Sequence, residues 1–271
     1  MWKYIIPPVI IAAAFAAFYN GIIIRHYIIN TKKFSNGQSI RAVLISDLHN
    51  HIYGNNQEKL ISKITKQKPD VILLAGDIAD DAVPIEGTKL LLSGIKDIAP
   101  VFYVSGNHEY WSGDIESIKK TIRSFGAAVL EDEYKEIAIN NISIIIAGVD
   151  DPEWVRYETK DNQKSMHKNF TELQDKTQYK ILVAHRPELI ETYKKYSFDL
   201  VVSGHAHGGQ VRIPFVLNGL YSPNQGWFPK YAGGEYHHGD LTHIVSRGVS
   251  FNPRLPRVFN PPEIVVIDIV N

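Results

Sequence analysis

The segment IRAVLISDLHN, Ile40–Asn50, decides how the rest of the chain is read. Ile40–Ser46 is a short apolar run suited to a buried strand, and it leads directly into a carboxylate and an imidazole, Asp47 and His49. The same device recurs downstream. Val71–Ala75 runs into GDIAD at Gly76–Asp80, and Val101–Ser105 into GNHE at Gly106–Glu109. Ile181–Ala184 precedes His185, and Leu200–Ser203 precedes GHAH at Gly204–His207. Helical patterns separate the early strands. Asn56–Lys68 carries Leu60, Ile61 and Ile64 at helical spacing, Pro84–Ile98 begins with a proline, and Asp114–Phe125 follows.

Alternating strands and helices argue for an α/β layered fold. The second half is richer in strands: Ala127–Leu130, Tyr134–Ile139, Ile142–Gly148, Leu241–Ser246 and Ile264–Ile269 all qualify, with a tight turn at Asn140-Asn141. The expected architecture is therefore α/β, a two-sheet β-sandwich core flanked by helices.

The 29 basic and 29 acidic residues cancel, so no overall field draws the chain to nucleic acid. There is no cysteine, which excludes disulfides and zinc–thiolate sites. Any metal must use His, Asp, Glu, Asn and water, a donor set suited to manganese, iron or zinc.

Tyr4–Ile24 contains no charged residue. About 20 apolar residues span a bilayer as a helix. Pro7 and Pro8 fall in the first turns, and Trp2, Tyr4, Tyr19 and Tyr27 are spaced like interfacial aromatics. A cleaved signal peptide is the rival reading, with Lys3 as its charged region and Ala12–Ala14 or Ala14–Ala16 as its cleavage site, but apolar residues continue beyond those alanines. The expectation is one N-terminal transmembrane helix, with anchor and linker over residues 1–34 and a catalytic domain over 35–271. Asn30–Ser39 reads as the linker. The basic residues Arg25, Lys32 and Lys33 against Lys3 and the amino terminus place the domain on the cytoplasmic side.

Donors at the carboxyl ends of strands converge on one crevice. Each motif alone is a weak signal, but five in order, each after a strand, are specific. The set DxH, GDxxD, GNH[DE], H, GHxH resembles the calcineurin-like metallophosphoesterase superfamily. GGQVRIP at Gly208–Pro214, VSRG at Val245–Gly248 and PPEIVVIDI at Pro261–Ile269 are similar to its membrane-associated bacterial YkuE- or YaeI-like phosphodiesterases. That branch is in turn compared with UDP-2,3-diacylglucosamine pyrophosphatases of lipid A biosynthesis.

The resemblance implies two divalent metal ions. Asp47, His49 and His207 would hold one; Asn107, His185 and His205 the other; Asp77 would bridge both. His108 would face the substrate as general acid, and Asp80 would orient it. Such a pair of cations activates water and neutralises phosphoryl charge, while proton donation helps a poor leaving group depart.

Secondary candidates surround this set. Asn107 and Arg186 could touch the substrate phosphate, Arg186 as a planar fork or alternatively in a structural ion pair. Glu109 reads as a support for the site, His51 as a solvated loop residue, and Arg247 as a side chain that could reach the site. His237, His238 and His243 hint at another metal, but GGEYHHGD reads more simply as a solvated loop. The long connection Gly208–Asp240 carries Phe215, Val216, Leu217, Tyr221, Trp227 and Phe228 and could border the site as a lid that meets acyl chains, or cap the core. The functional expectation is a membrane-anchored phosphodiesterase or pyrophosphatase acting on a lipid-linked phosphate ester. The alternatives are a non-catalytic metal-binding scaffold, or a phosphatase acting on nucleotides or phosphoproteins.

Overall fold

Two runs of apolar parallel strands form the centre of the molecule. In this computed structural model, which describes residues 14–153, 168–251 and 255–271, each run belongs to a six-stranded sheet. The first sheet has the order β1-β14-β2-β3-β4-β5. Its strands are β1 (Ile23–Asn30), β2 (Ser39–Ile45), β3 (Val71–Ala75), β4 (Val101–Val104), β5 (Ala128–Val129) and β14 (Glu263–Val270). β2 to β5 are parallel, and β14 runs antiparallel to β2.

The second sheet has the order β12-β13-β9-β8-β7-β6. It comprises β6 (Glu133–Ile139), β7 (Ile142–Gly148), β8 (Tyr179–Val183), β9 (Leu200–Ser203), β12 (Gly234–His238) and β13 (Leu241–Val245). β7, β8, β9 and β13 are parallel. A separate hairpin joins β10 (Tyr221–Ser222) to β11 (Gly226–Trp227).

Strands buried on both faces read as continuous apolar runs, and the packing shows why. One face of each sheet meets the other sheet: Ala42, Leu44, Leu73 and Val104 pack with Ile144, Ile146, Ile181 and Val202. The alternate residues of the first sheet, Val43, Ile45, Ile72 and Leu74, face helices α1 (Glu58–Lys66), α2 (Glu86–Ile95) and α4 (Ile115–Ser124). The outer face of the second sheet is covered by Phe170, Ile190, Tyr193 and Phe198. A short helix α3 (Asn107–Trp111) starts directly after β4.

The structure overturns the single-pass anchor expected over Tyr4–Ile24, and with it the cytoplasmic placement across a membrane. Among the described residues no helix is long and apolar enough to cross a membrane. The helical turn at residues 14–17 ends before Phe18, and the apolar residues from Ile22 onward serve the sheet. Ile22 is buried, and Ile23 and Ile24 begin β1, pairing with Glu263 and Ile264. Trp2, Lys3, Tyr4, Pro7, Pro8, Ala12 and Ala13 lie outside the described residues.

The stretch read as a linker is likewise tied down. Asn30 pairs with Val270, Thr31 N–H donates to the Val270 carbonyl, and Phe34 is buried between the sheets with its ring 5.5 Å from that of Tyr179. Phe34→Ala is therefore expected to lower unfolding stability by about 3–4 kcal/mol, the cost of truncating a buried phenylalanine. Urea unfolding checks this; a change within about 0.5 kcal/mol, typical of a surface site, would show that the segment is peripheral.

Candidate metal centre

The carboxyl ends of the parallel strands in both sheets lie at one end of the sandwich. β2, β3 and β4 finish level, with Ile45 opposite Leu74 and Ala75 opposite Val104, as do β8 and β9, with Val183 opposite Val202. Each strand then turns sharply. Asp47, His49, Asp77, His205 and His207 all have positive φ, at 53°, 50°, 51°, 66° and 47°. Non-glycine residues avoid this region unless their surroundings enforce it, and such residues gather at functional sites. The enforcement is visible in the close packing. A Cβ on Gly106 would lie 2.2 Å from Asp77 Oδ1, and one on Gly204 would lie 2.7 Å from Asp47 Oδ2.

Backbone bonds complete the frame. Asp47 N–H donates to Gly76 O, and His49 N–H to Asp77 O, each at 3.0 Å. Glu109, fully buried, accepts four backbone N–H groups: Asp77 at 2.9 Å, Ile78 at 2.8 Å, Ala79 at 3.0 Å and Gly106 at 2.8 Å. Burial and the nearby Asp77 charge push its carboxyl up to about 7, against the pull of these donors. Glu109 thus supports the site from beneath, as its sequence position suggested.

The side chains converge in two groups. Asp47, His49 and His207 each bring a donor atom within 4.8 Å of the others, and Asp77, His185 and His205 do the same. Asp77 links the groups: its Oδ2 is 3.1 Å from His185 Nε2 and 3.8 Å from His49 Nε2, while its Oδ1 accepts the His108 N–H at 2.9 Å. Asp47 Oδ1 accepts the His205 N–H at 2.9 Å.

The hydrogen-bond partners select which imidazole nitrogen is free. His185 Nδ1 lies 2.8 Å from the Ala75 carbonyl, which can only accept, so Nδ1 carries a proton and Nε2 is the nitrogen turned to the cluster. His49 Nδ1 is held 2.9 Å from Asp80 Oδ2, leaving Nε2. His205 Nε2 is 2.8 Å from Asn224 Oδ1, leaving Nδ1. His185 Nε2 and His205 Nδ1 then face each other at 3.2 Å. Two lone pairs at that distance require a shared cation, or a proton on one ring. Asp47 Oδ2, His49 Nε2 and Asn107 Oδ1 are also buried with no hydrogen-bond partner among the described residues. This donor set of carboxylate, imidazole and amide fits divalent metal ions.

Protonation follows the same geometry. Burial opposes a charge on His185, but Asp77 outweighs it and pushes the imidazole up to about 10. Burial likewise opposes the Asp77 charge, yet His185 and His49 hold that carboxyl well below the usual range. Burial holds His205 and His207 well below theirs, aided by the charges of His185 and Arg186 on the first and of His49 and Arg257 on the second. Neutral imidazoles of this kind are ready to bind a cation.

Several residues lie elsewhere than expected. Asp80 serves His49; it stands 3.4 Å from His108 Nδ1, whereas Asp81 Oδ1 is only 2.6 Å away. Of the two roles read for Arg186, the structure shows the ion pair and not an open phosphate fork. Its Nε and Nη2 bond the two oxygens of Asp151 at 2.6 and 2.9 Å, and Nη1 donates to Asn224 Oδ1 at 2.6 Å. Arg247 turns to Glu263, with Nε 3.5 Å from its carboxylate. His51 does lie in a loop, partly exposed, with its ring against that of Tyr53. GGEYHHGD is largely strand β12 instead of a loop, and His243 opposite it on β13 is fully buried.

The residues not anticipated are Asp81, Asp151, Asn224 and Arg257. Asn224 sits at the turn of the β10–β11 hairpin, with φ 59°, and joins His205 to Arg186. Arg257 is buried, with Nη2 3.4 Å from His207 Nδ1. Only Asp81 had a local signal, a second carboxylate directly after GDIAD.

Comparison with known proteins agrees with this arrangement. A family profile described as "Calcineurin-like phosphoesterase" matches residues 40–209. An uncharacterized metallophosphoesterase of Aquifex aeolicus is 30% identical over 253 residues, covering 91% of each chain. Another, from Campylobacter jejuni, is 28% identical over 242 residues, covering 86% of this chain and 59% of the relative. Among solved structures, the NAD nucleotidase of Haemophilus influenzae shares the fold at a TM-score of 0.53 and 16% identity, covering 82% of this chain and 49% of that one. The chain belongs to the calcineurin-like phosphoesterase family and is a metal-dependent phosphoester hydrolase.

The Arg186 geometry makes a distinct prediction. Arg186→Met would strand the buried Asp151 carboxylate and cost about 3–5 kcal/mol of stability. Arg186→Lys would not restore it, because a point charge cannot replace the two-pronged pair. Urea unfolding measures both. Full stability with a raised KM would instead assign Arg186 to the substrate.

Proposed function

We propose that this chain hydrolyses phosphodiester or pyrophosphate bonds at a dinuclear centre of manganese, iron or zinc. Asp47, His49 and His207 would hold one ion, Asn107, His185 and His205 the other, with Asp77 between them. The observation that carries this reading is the approach of His185 Nε2 to His205 Nδ1, 3.2 Å apart and both turned toward Asp77, with Asp47 Oδ2, His49 Nε2 and Asn107 Oδ1 buried and unpartnered nearby among the described residues. The bound cations supply Lewis acidity, activating water and neutralising charge on the phosphoryl oxygens.

The residues of the chain supply the rest. Asp80 fixes the His49 ring, Asn224 fixes His205, and the Ala75 carbonyl fixes His185. His108 is the proton donor to the leaving oxygen. Its Nδ1 is held by carboxylates, so Nε2 is the nitrogen left to give up a proton. The fully equipped cluster favours catalysis over a scaffold role.

For the substrate class, we infer an amphiphilic, lipid-linked ester such as UDP-2,3-diacylglucosamine. The support is the β10–β11 hairpin. Asn224 at its turn bonds His205, while Trp227 and the adjoining Phe228 are each 67% exposed. Phe215 and Val216 nearby in sequence are still more exposed, while Tyr231 further along the same connection packs into the core. Exposed aromatics beside a metal cluster suit an apolar chain on the substrate.

Two outcomes are expected. His108→Ala retains its metals by elemental analysis yet loses about 10²–10⁴-fold in turnover; metal loss with turnover unchanged per metal-loaded molecule would reassign the residue. Replacing Trp227 and Phe228 together by serine lowers kcat/KM on an acylated phosphodiester more than on a small chromogenic one. Equal losses on both would remove the hairpin from substrate recognition.

A further inference from the structure

We propose that Asp81, and not Asp80, is the positioning residue for His108. This deepens the reading of His108 as proton donor and rests on it. The two adjacent carboxylates divide their work. Asp80 Oδ2 lies 2.9 Å from His49 Nδ1, and Asp80 Oδ1 accepts the backbone N–H groups of Ala82 at 2.9 Å and Val83 at 3.1 Å. Both its oxygens are committed, one to a metal-binding imidazole and one to its own loop. Asp81 Oδ1 lies 2.6 Å from His108 Nδ1, against 3.4 Å for Asp80. Only the shorter contact has hydrogen-bond geometry with the ring, and it is in the range of a charge-assisted bond.

The remaining contacts fix the plane of the His108 ring. The His49 ring meets it edge-on at 4.4 Å, and the Trp111 ring packs at 4.6 Å. Trp111 is itself anchored by Nε1–H donating to Glu153 Oε2 at 3.3 Å. Two ring contacts set the tilt of the imidazole, and the Asp81 carboxylate sets its rotation, so that Nε2 presents a proton. The Asp81 side chain is one-third exposed, which places this partner at the rim of the cluster, away from the buried ligands.

In the step concerned, the water oxygen forms a bond to phosphorus and the phosphorus–oxygen bond to the leaving group breaks. The bonding pair stays with the leaving oxygen, which takes the proton from His108 Nε2. The proton lost by the attacking water returns the imidazole to its starting state through solvent. A misoriented His108 therefore matters most when the leaving alkoxide is a strong base.

The test compares metal-loaded wild type, Asp81→Asn, Asp80→Asn and His108→Ala on phosphodiesters from a nitrophenyl to a simple alkyl leaving group. Metal content is measured in every sample. Asp81→Asn is expected to keep its metals and its KM and to lose kcat by about 10²-fold on the alkyl ester, with a loss roughly tenfold smaller on the nitrophenyl ester. Asp81→Glu should recover part of the alkyl-ester rate. Asp80→Asn should lose metal through His49, with equal losses across the series. A leaving-group-dependent loss in His108→Ala and Asp80→Asn but not in Asp81→Asn would overturn the assignment while leaving His108 as the donor. If His108→Ala shows no dependence on the leaving group, the donor reading itself fails.

Discussion

Among the hydrogen bonds between the sheets, two engage the candidate ligands themselves and set their positions. His185, at the end of β8 in the second sheet, donates to the Ala75 carbonyl at the end of β3 in the first. In the other direction Asp47, following β2, accepts the His205 N–H beyond β9. A sandwich of two twisted sheets fixes the spacing between its layers through apolar packing, but that packing does not by itself set the position of one layer along the other. These polar contacts do, because each joins a specific backbone atom to a specific side chain. They also use up one nitrogen of His185 and one oxygen of Asp47, which decides the atoms left for a cation.

The cost of this arrangement is borne by the backbone of the same residues. Five of the seven predicted ligands have left-handed conformations, and each non-glycine residue so placed costs about 1–3 kcal/mol. Glu109 offsets this locally by capturing four N–H groups of the loops after β3 and β4. Without that carboxylate the loop bearing Asp77 would present several buried donors and no acceptor. Glu109 thus belongs to the site through the backbone it holds.

The strands, and the convergence of the candidate ligands, were legible because both leave local marks. β7 reads from its apolar run at Ile142–Gly148 and is observed over the same residues. Each predicted ligand follows an apolar strand, so its place at a strand end could be read one segment at a time. What could not be read depends on distant partners. β1 joins the sheet only because Ile23 finds Glu263; its apolar first residues run on from the preceding segment and imitate the end of a membrane helix. β12 is polar and rich in glycine and histidine, and becomes a strand through pairing with β13. Asn224 and Asp151 reach the cluster from loops with no motif of their own. For Asp80 and Asp81 the difficulty is finer, since the sequence places two carboxylates side by side but cannot say which imidazole each one meets.

The protonation pattern shows how the site is prepared for cations. A buried cluster of carboxylates and imidazoles has to share few protons among many groups, and here the sharing is uneven. Asp77 stays charged and stabilises a proton on His185, while His205 and His207 are held neutral by burial and by neighbouring positive charge. To a divalent ion, His185 and His205 would offer one free lone pair beside the Asp77 carboxylate, with one proton to leave His185. Arg186 and Arg257 supply part of the positive charge that keeps the two imidazoles neutral, yet Arg186 is neutralised in turn by Asp151. The arginine that sequence position suggested for substrate thus acts one step further back: through Asn224 it holds His205 in the orientation that leaves Nδ1 free.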